Sequence, residues 1–294
     1  MTDNNVPLVD THVHFWDLAH PDLSYGWLAP GVPHPILGDI EGIKHQRFDV
    51  AHLWAEARFA NVEAVVHVQA AVGTADPVAE TRWIQELAET NRILAAHVAH
   101  ADLAAPGLER QLDAHGEFQV LRGIRDFSVE PLLASGDQSA LDPGLRLLAE
   151  RRLLLDLDCE WPRMRAAAVV ADRHPDLVIV LEHLGYPRRR DADYFDGWRR
   201  GVDDLSVPGN VHCKISGIGM GDPRWSQESI APWIQHCLDA FGPDRCVFGS
   251  NWPVDRMYSS YDAIVTAYRT SIAGLTVEQQ HDVLHRNARR LYRI

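Results

Sequence analysis

The 294-residue sequence lacks the features of a membrane or secreted protein. It contains no run of 18 or more apolar residues, and residues 1–5 are polar and acidic, so neither a membrane span nor a signal peptide is expected. The four cysteines are widely spaced, and none forms a C-x-x-C pair. We therefore expect a cytoplasmic protein whose thiols stay reduced and buried.

An excess of positive charge is also missing. The 41 acidic residues outnumber the 28 lysines and arginines, which gives a formal net charge of −13. This balance disfavours nucleic acid as a partner, because phosphates bind to a basic face. We expect a small molecule as the partner, with neither nucleic acid nor membrane involved, and we leave open whether the chain forms a homo-oligomer.

Short apolar runs alternate with amphipathic, helix-like segments along the whole chain. The runs cover residues 8–14, 62–70, 93–99, 120–127, 153–159, 178–184, 211–217 and 246–250. Eight strands that alternate with helices predict a parallel sheet covered by helices, and eight is the number that closes a TIM barrel. The alternative, a doubly wound open sheet, predicts a glycine-rich phosphate loop after an early strand, and the sequence has none. We therefore predict one α/β barrel domain over residues 1–294.

One long irregular segment interrupts this alternation at residues 16–48. It is rich in proline and glycine, and it carries Trp16, Tyr25 and Trp27. Because it directly follows the first strand, we expect it to fold over the barrel mouth as a lid or pocket wall.

Two histidines in the first predicted strand are the most informative residues. Residues two apart on a strand point to the same face, so Asp10, His12 and His14 project together. Imidazoles are the commonest metal ligands and the usual acid–base groups near neutral pH. A pair of solvated histidines on an edge strand is the alternative, and we favour a catalytic pair. Most polar residues of the other predicted strands also lie toward their C-terminal ends, where parallel barrels have their active sites.

Five motifs in order along the chain resemble landmarks of the amidohydrolase superfamily. They are D-T-H-V-H at 10–14, R-G-I-R at 122–125, L-E-H-L-G-Y-P at 181–187, V-H-C-K-I-S-G at 211–217 and F-G-S-N-W-P-V-D at 248–255. The chain is most similar to the amidohydrolase-related branch (amidohydrolase 2) that contains sugar-lactone and 2-pyrone-4,6-dicarboxylate lactonases. The resemblance implies a distorted (β/α)8 barrel and, usually, hydrolysis of a cyclic ester. Some relatives use a divalent metal and others need none.

The eighth strand departs from this family pattern. Many members carry there an Asp that binds metal and accepts a proton from water, whereas this chain has Asn251. A carboxamide cannot act as a general base near neutral pH, so we expect Asn251 to donate a hydrogen bond to substrate or water. The expected proton acceptor is Asp255, with Asp158 as the competing candidate. The alternatives are that Asp255 pairs with Arg256 or a helix terminus, and that Asp158 neutralises Lys214.

His12, His14 and His183 are the candidate metal ligands. Three neutral imidazoles with one open position suit a catalytic Zn²⁺, which lowers the pKa of its bound water to about 7. The same histidines are also able to polarise a lactone carbonyl without a metal, and the loss of the eighth-strand carboxylate favours this version. The cofactor is therefore either none or one divalent metal, with zinc as the best match.

Substrate contacts are expected from side chains near the strand ends. The planar guanidinium of Arg125 suits a carboxylate, and Gln69 faces inward from the second strand. The other candidates are the inward-facing Lys214 and the tryptophans that follow strand ends, Trp16, Trp161 and Trp252. These residues predict a small substrate that is anionic or sugar-like.

The leading hypothesis is a hydrolase that opens a small lactone by attack of water on the carbonyl. In this reading, Asp255 or Asp158 accepts the proton while His12, His14 and His183 stabilise the oxyanion. The first alternative is a metal-dependent decarboxylase of an aromatic or unsaturated acid. The second is a catalytically silent barrel that binds a ligand.

Overall fold

A computed structural model describes residues 6–34, 37–136 and 138–294, and eight parallel strands lie at the centre of this part of the chain. The strands are β1 (Leu8–Val13), β2 (Val62–Val68), β3 (Leu94–His100), β4 (Leu121–Arg125), β5 (Leu154–Leu157), β6 (Ile179–Leu181), β7 (Val211–Ile215) and β8 (Cys246–Phe248). Each strand pairs in parallel with the next one along the chain. All eight predicted strands are therefore confirmed, although most of them end earlier than the sequence suggested.

The first and last strands are joined by a seam of hydrogen bonds. Thr11 Oγ1 donates to the Phe248 carbonyl at 2.6 Å. The Asp10 carboxylate accepts from the Ser250 amide at 2.8 Å and from the Tyr261 hydroxyl at 2.9 Å. These contacts close the sheet into the predicted TIM barrel, and they exclude the open doubly wound sheet.

Helices cover the outside of the barrel. They are α1 (Val50–Ala57), α2 (Ala79–Thr90), α3 (Leu108–Gly116), α4 (Val129–Ser135), α5 (Asp142–Glu150), α6 (Trp161–Arg173), α7 (Ala192–Ser206), α8 (Gln227–Phe241), α9 (Tyr261–Ser271), α10 (Val277–His281) and α11 (Asn287–Tyr292). Helix α8 shows why such segments form. Ser226 caps its first turn by accepting from the Ser229 amide, and Ile230, Ile234 and Leu238 then recur at helical spacing as its buried face.

The interior of the barrel holds both apolar and polar side chains. Aliphatic side chains from several strands form one cluster, and Leu291 and Tyr292 of α11 pack against them. Polar and charged side chains, including His12, His14 and Lys214, are also buried in the barrel. These buried polar side chains need hydrogen-bond or ion-pair partners inside the protein, because each unpaired polar group in a protein interior costs free energy.

Residues 16–48, where they are described, form only short regular elements. Trp16–Asp17 and Arg47–Phe48 form a short antiparallel pair, and 3₁₀ turns occupy Gly26–Leu28 and Glu41–Ile43. The four cysteines are buried and free, as expected. Among the described residues, no helix is both long enough and apolar enough to cross a membrane.

Candidate active site at the barrel mouth

A cavity of about 310 Å³ opens where the C-terminal ends of several strands meet. Residues 16–48 contribute Trp27, His34 and Leu37 to its wall, so this part of the segment does form a pocket wall. Of the residues predicted to form the site, the cavity is lined by His14, Gln69, Arg125, Asp158, His183 and Asn251. This size suits a small molecule.

His12 and His14 lie side by side, as their alternate positions on β1 predict. Their Nε2 atoms are 3.0 Å apart. His14 Nδ1 lies 2.9 Å from the carbonyl of Val68, and His12 Nδ1 lies 3.1 Å from Glu182 Oε1. Burial lowers the pKa of both imidazoles, to about 4 for His14. His12 is completely enclosed behind the cavity wall, which His14 lines.

His183 reaches the same place from the turn that follows β6. Its ring centroid is 4.4 Å from that of His12, and its Nδ1 lies 2.7 Å from Ser216 Oγ. The backbone is left-handed at His183, Leu184 and Tyr186, with φ of 52°, 53° and 52°. Three such residues near each other are costly for side chains other than glycine, and conformations of this kind concentrate at functional sites.

Glu182 is the central charge of the site, and no role was expected for it from the sequence. Its carboxylate lies 2.6 Å from Arg125 Nη2, 3.1 Å from His12 Nδ1 and 3.4 Å from Lys214 Nζ. Although burial works in the opposite direction, Arg125, His12 and Lys214 hold the pKa of Glu182 well below its usual range. The signal available in the sequence was its place beside His183 at the end of a strand.

Asp158 pairs with Arg125 and not with Lys214, which rules out the alternative in which Asp158 neutralises Lys214. Arg125 Nε and Nη2 donate to the two oxygens of Asp158 at 2.6 and 2.9 Å. The hydroxyl of Tyr186, another residue missing from the predicted site, also donates to Asp158. Arg125 is thus already shared by two carboxylates, those of Asp158 and Glu182, before any substrate binds.

Lys214 lies deeper than predicted. Its ammonium group is fully buried, donates to Asp156 at 2.5 Å and does not line the cavity. Its role as a substrate contact is therefore corrected, because two carboxylates, Asp156 and Glu182, enclose it inside the barrel.

Asn251 lines the cavity and Asp255 lies behind it. Asn251 Nδ2 donates to Asp255 Oδ1 at 3.1 Å, and the Gly219 amide donates to Asp255 Oδ2 at 3.5 Å. Burial raises the pKa of Asp255 to about 7. Arg256 pairs with Glu56 instead of Asp255. Asp255 does not line the cavity, so a direct contact with substrate is not supported.

The three tryptophans that were expected to contact the substrate do not line the cavity. Trp16 and Trp252 are completely buried, and Trp16 Nε1 donates to the His45 carbonyl. Trp161 packs edge-on against Tyr194 at the junction of α6 and α7. The cavity wall instead includes Trp27 and Phe127. A position after a strand end does not determine on which side of the chain a ring packs.

Comparison with known proteins identifies the family. The family model described as amidohydrolase matches residues 9–294. The uncharacterised protein y4mH of Sinorhizobium fredii is 32% identical over 302 residues, which cover 99% of this chain and 100% of its own. The chain belongs to the amidohydrolase family. An L-fucono-1,5-lactonase of Burkholderia multivorans is 28% identical to this amidohydrolase, over 88% of this chain and 86% of the relative.

A solved relative has the same architecture. The crystal structure of an amidohydrolase from Burkholderia multivorans with bound zinc is 26% identical to this amidohydrolase and superimposes with a TM-score of 0.82. The match covers 98% of this chain and 99% of that one.

The donor set of this amidohydrolase fits a divalent cation. His12, Glu182 and His183 are buried and offer ligand atoms that all lie within 4.8 Å of one another, a group that includes Glu182 where His14 was predicted. His14 remains relevant to a cation, because its Nε2 lies only 3.0 Å from Nε2 of His12. Either a proton on one of these two nitrogens or a cation beside them is able to stabilise such a close approach.

Proposed function

We propose that this amidohydrolase opens a small, uncharged, hydroxylated lactone by attack of water. The observation that carries the proposal is the convergence of His14, His183, Arg125 and Asp158 on one cavity of about 310 Å³. The name of the Burkholderia multivorans relative, an L-fucono-1,5-lactonase, supports the same reaction class.

Water is the proposed nucleophile because the side chains around the cavity offer no better one. Cys159 carries the one thiol among the described lining residues, and no serine or threonine is among them. Burial, reinforced by Glu130 and Asp158, raises the pKa of the Cys159 thiol well above its usual range. A protonated thiol is a poor nucleophile, so a covalent acyl-enzyme is not favoured.

Asp158 is the proposed acceptor of the proton that the attacking water loses. It is a buried carboxylate at the cavity wall, whereas Asp255 lies behind Asn251. Burial raises the pKa of Asp158, and the Arg125 guanidinium opposes that shift. His14 and His183 would lie beside the carbonyl oxygen as it gains negative charge, the interaction that usually contributes most to catalysis.

The charges around the cavity favour a neutral substrate over the anionic one. The described lining residues include three carboxylates, Glu130, Asp158 and Glu160, and two guanidinium groups, Arg125 and Arg188. Arg125 already binds Asp158, and Arg188 Nε lies 3.0 Å from Glu160. A dicarboxylate would therefore meet cations that are already neutralised.

A divalent cation, if bound, would be held by His12, Glu182 and His183 with His14 adjacent. It would supply positive charge that polarises a carbonyl or a water molecule.

We predict that protein expressed in zinc-supplemented medium contains about one zinc per chain by elemental analysis. His12→Ala should lose most of it, and His52→Ala, at an exposed histidine, should not. An equal zinc content in both variants would contradict this ligand set.

The function is tested with a panel of ring compounds monitored by proton release. Hydroxylated five- and six-membered lactones should be hydrolysed faster than a pyrone dicarboxylate, and an aromatic acid should release no carbon dioxide. His14→Ala and Asp158→Asn should each lower turnover about 10²–10³-fold, as is typical for the loss of one group that stabilises the transition state. Decarboxylation of the aromatic acid without lactone hydrolysis would contradict the proposal, and so would full activity of Asp158→Asn.

A further inference from the structure

The side chain of Gln69 is unusual because it is buried at the cavity wall without a partner. Only 2% of the residue is exposed. Neither Nε2 nor Oε1 has a hydrogen-bond partner among the described residues. Gln69 nevertheless lines the cavity. An unpaired amide in such a place costs free energy, so the position calls for a partner that enters the cavity.

The backbone around Gln69 is held firmly, so the missing partner does not reflect a loose loop. The Gln69 amide donates to the Val98 carbonyl at 2.9 Å. The next two amides, of Ala70 and Ala71, donate to Glu80 Oε1 at 2.8 and 2.9 Å. On the cavity side, Trp27 Nε1 donates to the Ala70 carbonyl at 2.8 Å. These bonds fix the backbone that carries the Gln69 side chain before a ligand arrives, which lowers the entropic cost of ordering this part of the cavity wall.

The chemistry of an amide selects its partner. A primary amide presents a donor, Nε2, and an acceptor, Oε1, and a hydroxyl group is able to satisfy both because it donates one hydrogen and accepts another. An ionised carboxylate only accepts, so it would leave Oε1 unpaired and close to its negative charge.

We propose that Gln69 is a specificity-determining residue that recognises a hydroxyl group on the lactone ring. The proposal rests on the proposed lactonase function and adds to it the side chain that selects hydroxylated rings. Removal of the hydroxyl from the ligand leaves a buried amide unpaired, and sites built in this way reject such analogues strongly.

The test uses two ring compounds that cannot be hydrolysed, a polyhydroxylated δ-lactam and the unsubstituted piperidin-2-one. Their dissociation constants are measured by calorimetry with the wild-type protein and with Gln69→Leu, which removes both polar atoms of the amide. We expect the wild type to prefer the hydroxylated lactam, and Gln69→Leu to reduce this preference about 10–100-fold by weakening the hydroxylated lactam only, the range for the loss of one or two neutral hydrogen bonds.

Val72→Ala is the matched control, because Val72 lines the same cavity and has no polar side-chain atom. It should change the binding of both lactams by the same factor. If Gln69→Leu does not fold, Gln69→Met replaces it. If the folded Gln69 variant prefers the hydroxylated lactam as strongly as the wild type does, the role of Gln69 is overturned. Hydrolysis of lactones by the wild type would in that case still support the proposed function. If the wild type binds neither lactam and hydrolyses no lactone, the proposed function and the role of Gln69 are both overturned.

Discussion

At the scale of single residues, Asp255 is an acid whose pKa the fold raises to about 7, so that it keeps its proton in mildly acidic solution. It is completely buried, and burial raises its pKa from 3.8 to about 7 even though Asn251 donates a hydrogen bond to it. Between these two values the folded chain holds a proton that the unfolded chain releases. The free energy of unfolding contributed by this group must therefore decrease as the pH rises through that window.

Asp255→Asn should remove this pH dependence. At pH 4 the variant and the wild type should be similarly stable, and at pH 8 the variant should be more stable by up to about 4 kcal/mol, the free energy of a shift of this size. The measurement is urea unfolding at several pH values, with the exposed Asp262→Asn as the control. A constant difference between wild type and Asp255→Asn from pH 4 to pH 8 would refute the assignment.

The sequence predicted which residues lie in the site better than it predicted which side chains pair with each other. The alternation of β1 placed His12 and His14 together, and the strand ends placed Arg125, Asp158 and Asn251 around one cavity. The alternative that Asp158 neutralises Lys214 arose because charge alone does not distinguish Lys214 from Arg125, the partner in the structure. That choice depends on the depth of each side chain in the barrel, and sequence patterns carry no information on depth.

At the scale of elements, the eight strands were predictable because each is a short apolar run with a break after it. Their C-terminal ends were not. The apolar run at 178–184 continues beyond β6, but the chain turns into left-handed conformations at His183 and Leu184. Hydrophobicity does not report such a turn, since tertiary contacts such as that of His183 with Ser216 hold it. Glu182 and Tyr186 were missed for the same reason.

Helix α2 and the loop after β2 are coupled through a single carboxylate oxygen. Glu80 Oε1 accepts from the amides of both Ala70 and Ala71. Glu80→Ala should leave two buried amides unpaired, at a cost of about 1–3 kcal/mol each, and should raise KM more than it lowers kcat because it loosens the wall that carries Gln69.

Glu80→Gln separates this positioning effect from an effect of charge. Its side chain keeps Oε1, the atom that accepts both bonds, so stability in urea and KM should stay near the wild-type values. A lower stability in urea together with a higher KM in Glu80→Gln would show that the negative charge is needed. Wild-type stability and KM in Glu80→Ala would show that the two hydrogen bonds do not hold the wall.

At the scale of the whole molecule, Asp10 joins the two edges of the sheet. It accepts from Ser250 and Tyr261 across the seam and also from the amide of His12 at 3.2 Å. Asp10→Ala should reduce the free energy of unfolding by about 3 kcal/mol or more, because it leaves several buried donors unpaired. Asp10→Asn keeps one acceptor oxygen and should lose less. A midpoint of urea unfolding close to the wild-type value in Asp10→Ala would contradict this role.

The seam between the first and last strands also determines when the site forms during synthesis of the chain. Its hydrogen bonds join residues that are 237, 240 and 251 positions apart. During synthesis, His12 and His14 leave the ribosome early, at a time when the segment that completes their strand pairing has not yet been translated. A nascent chain that stops before Ser250 has the histidines but no closed barrel around them. Ligand binding should therefore appear late and abruptly in a series of lengthening chains, as a report that the last strand has docked.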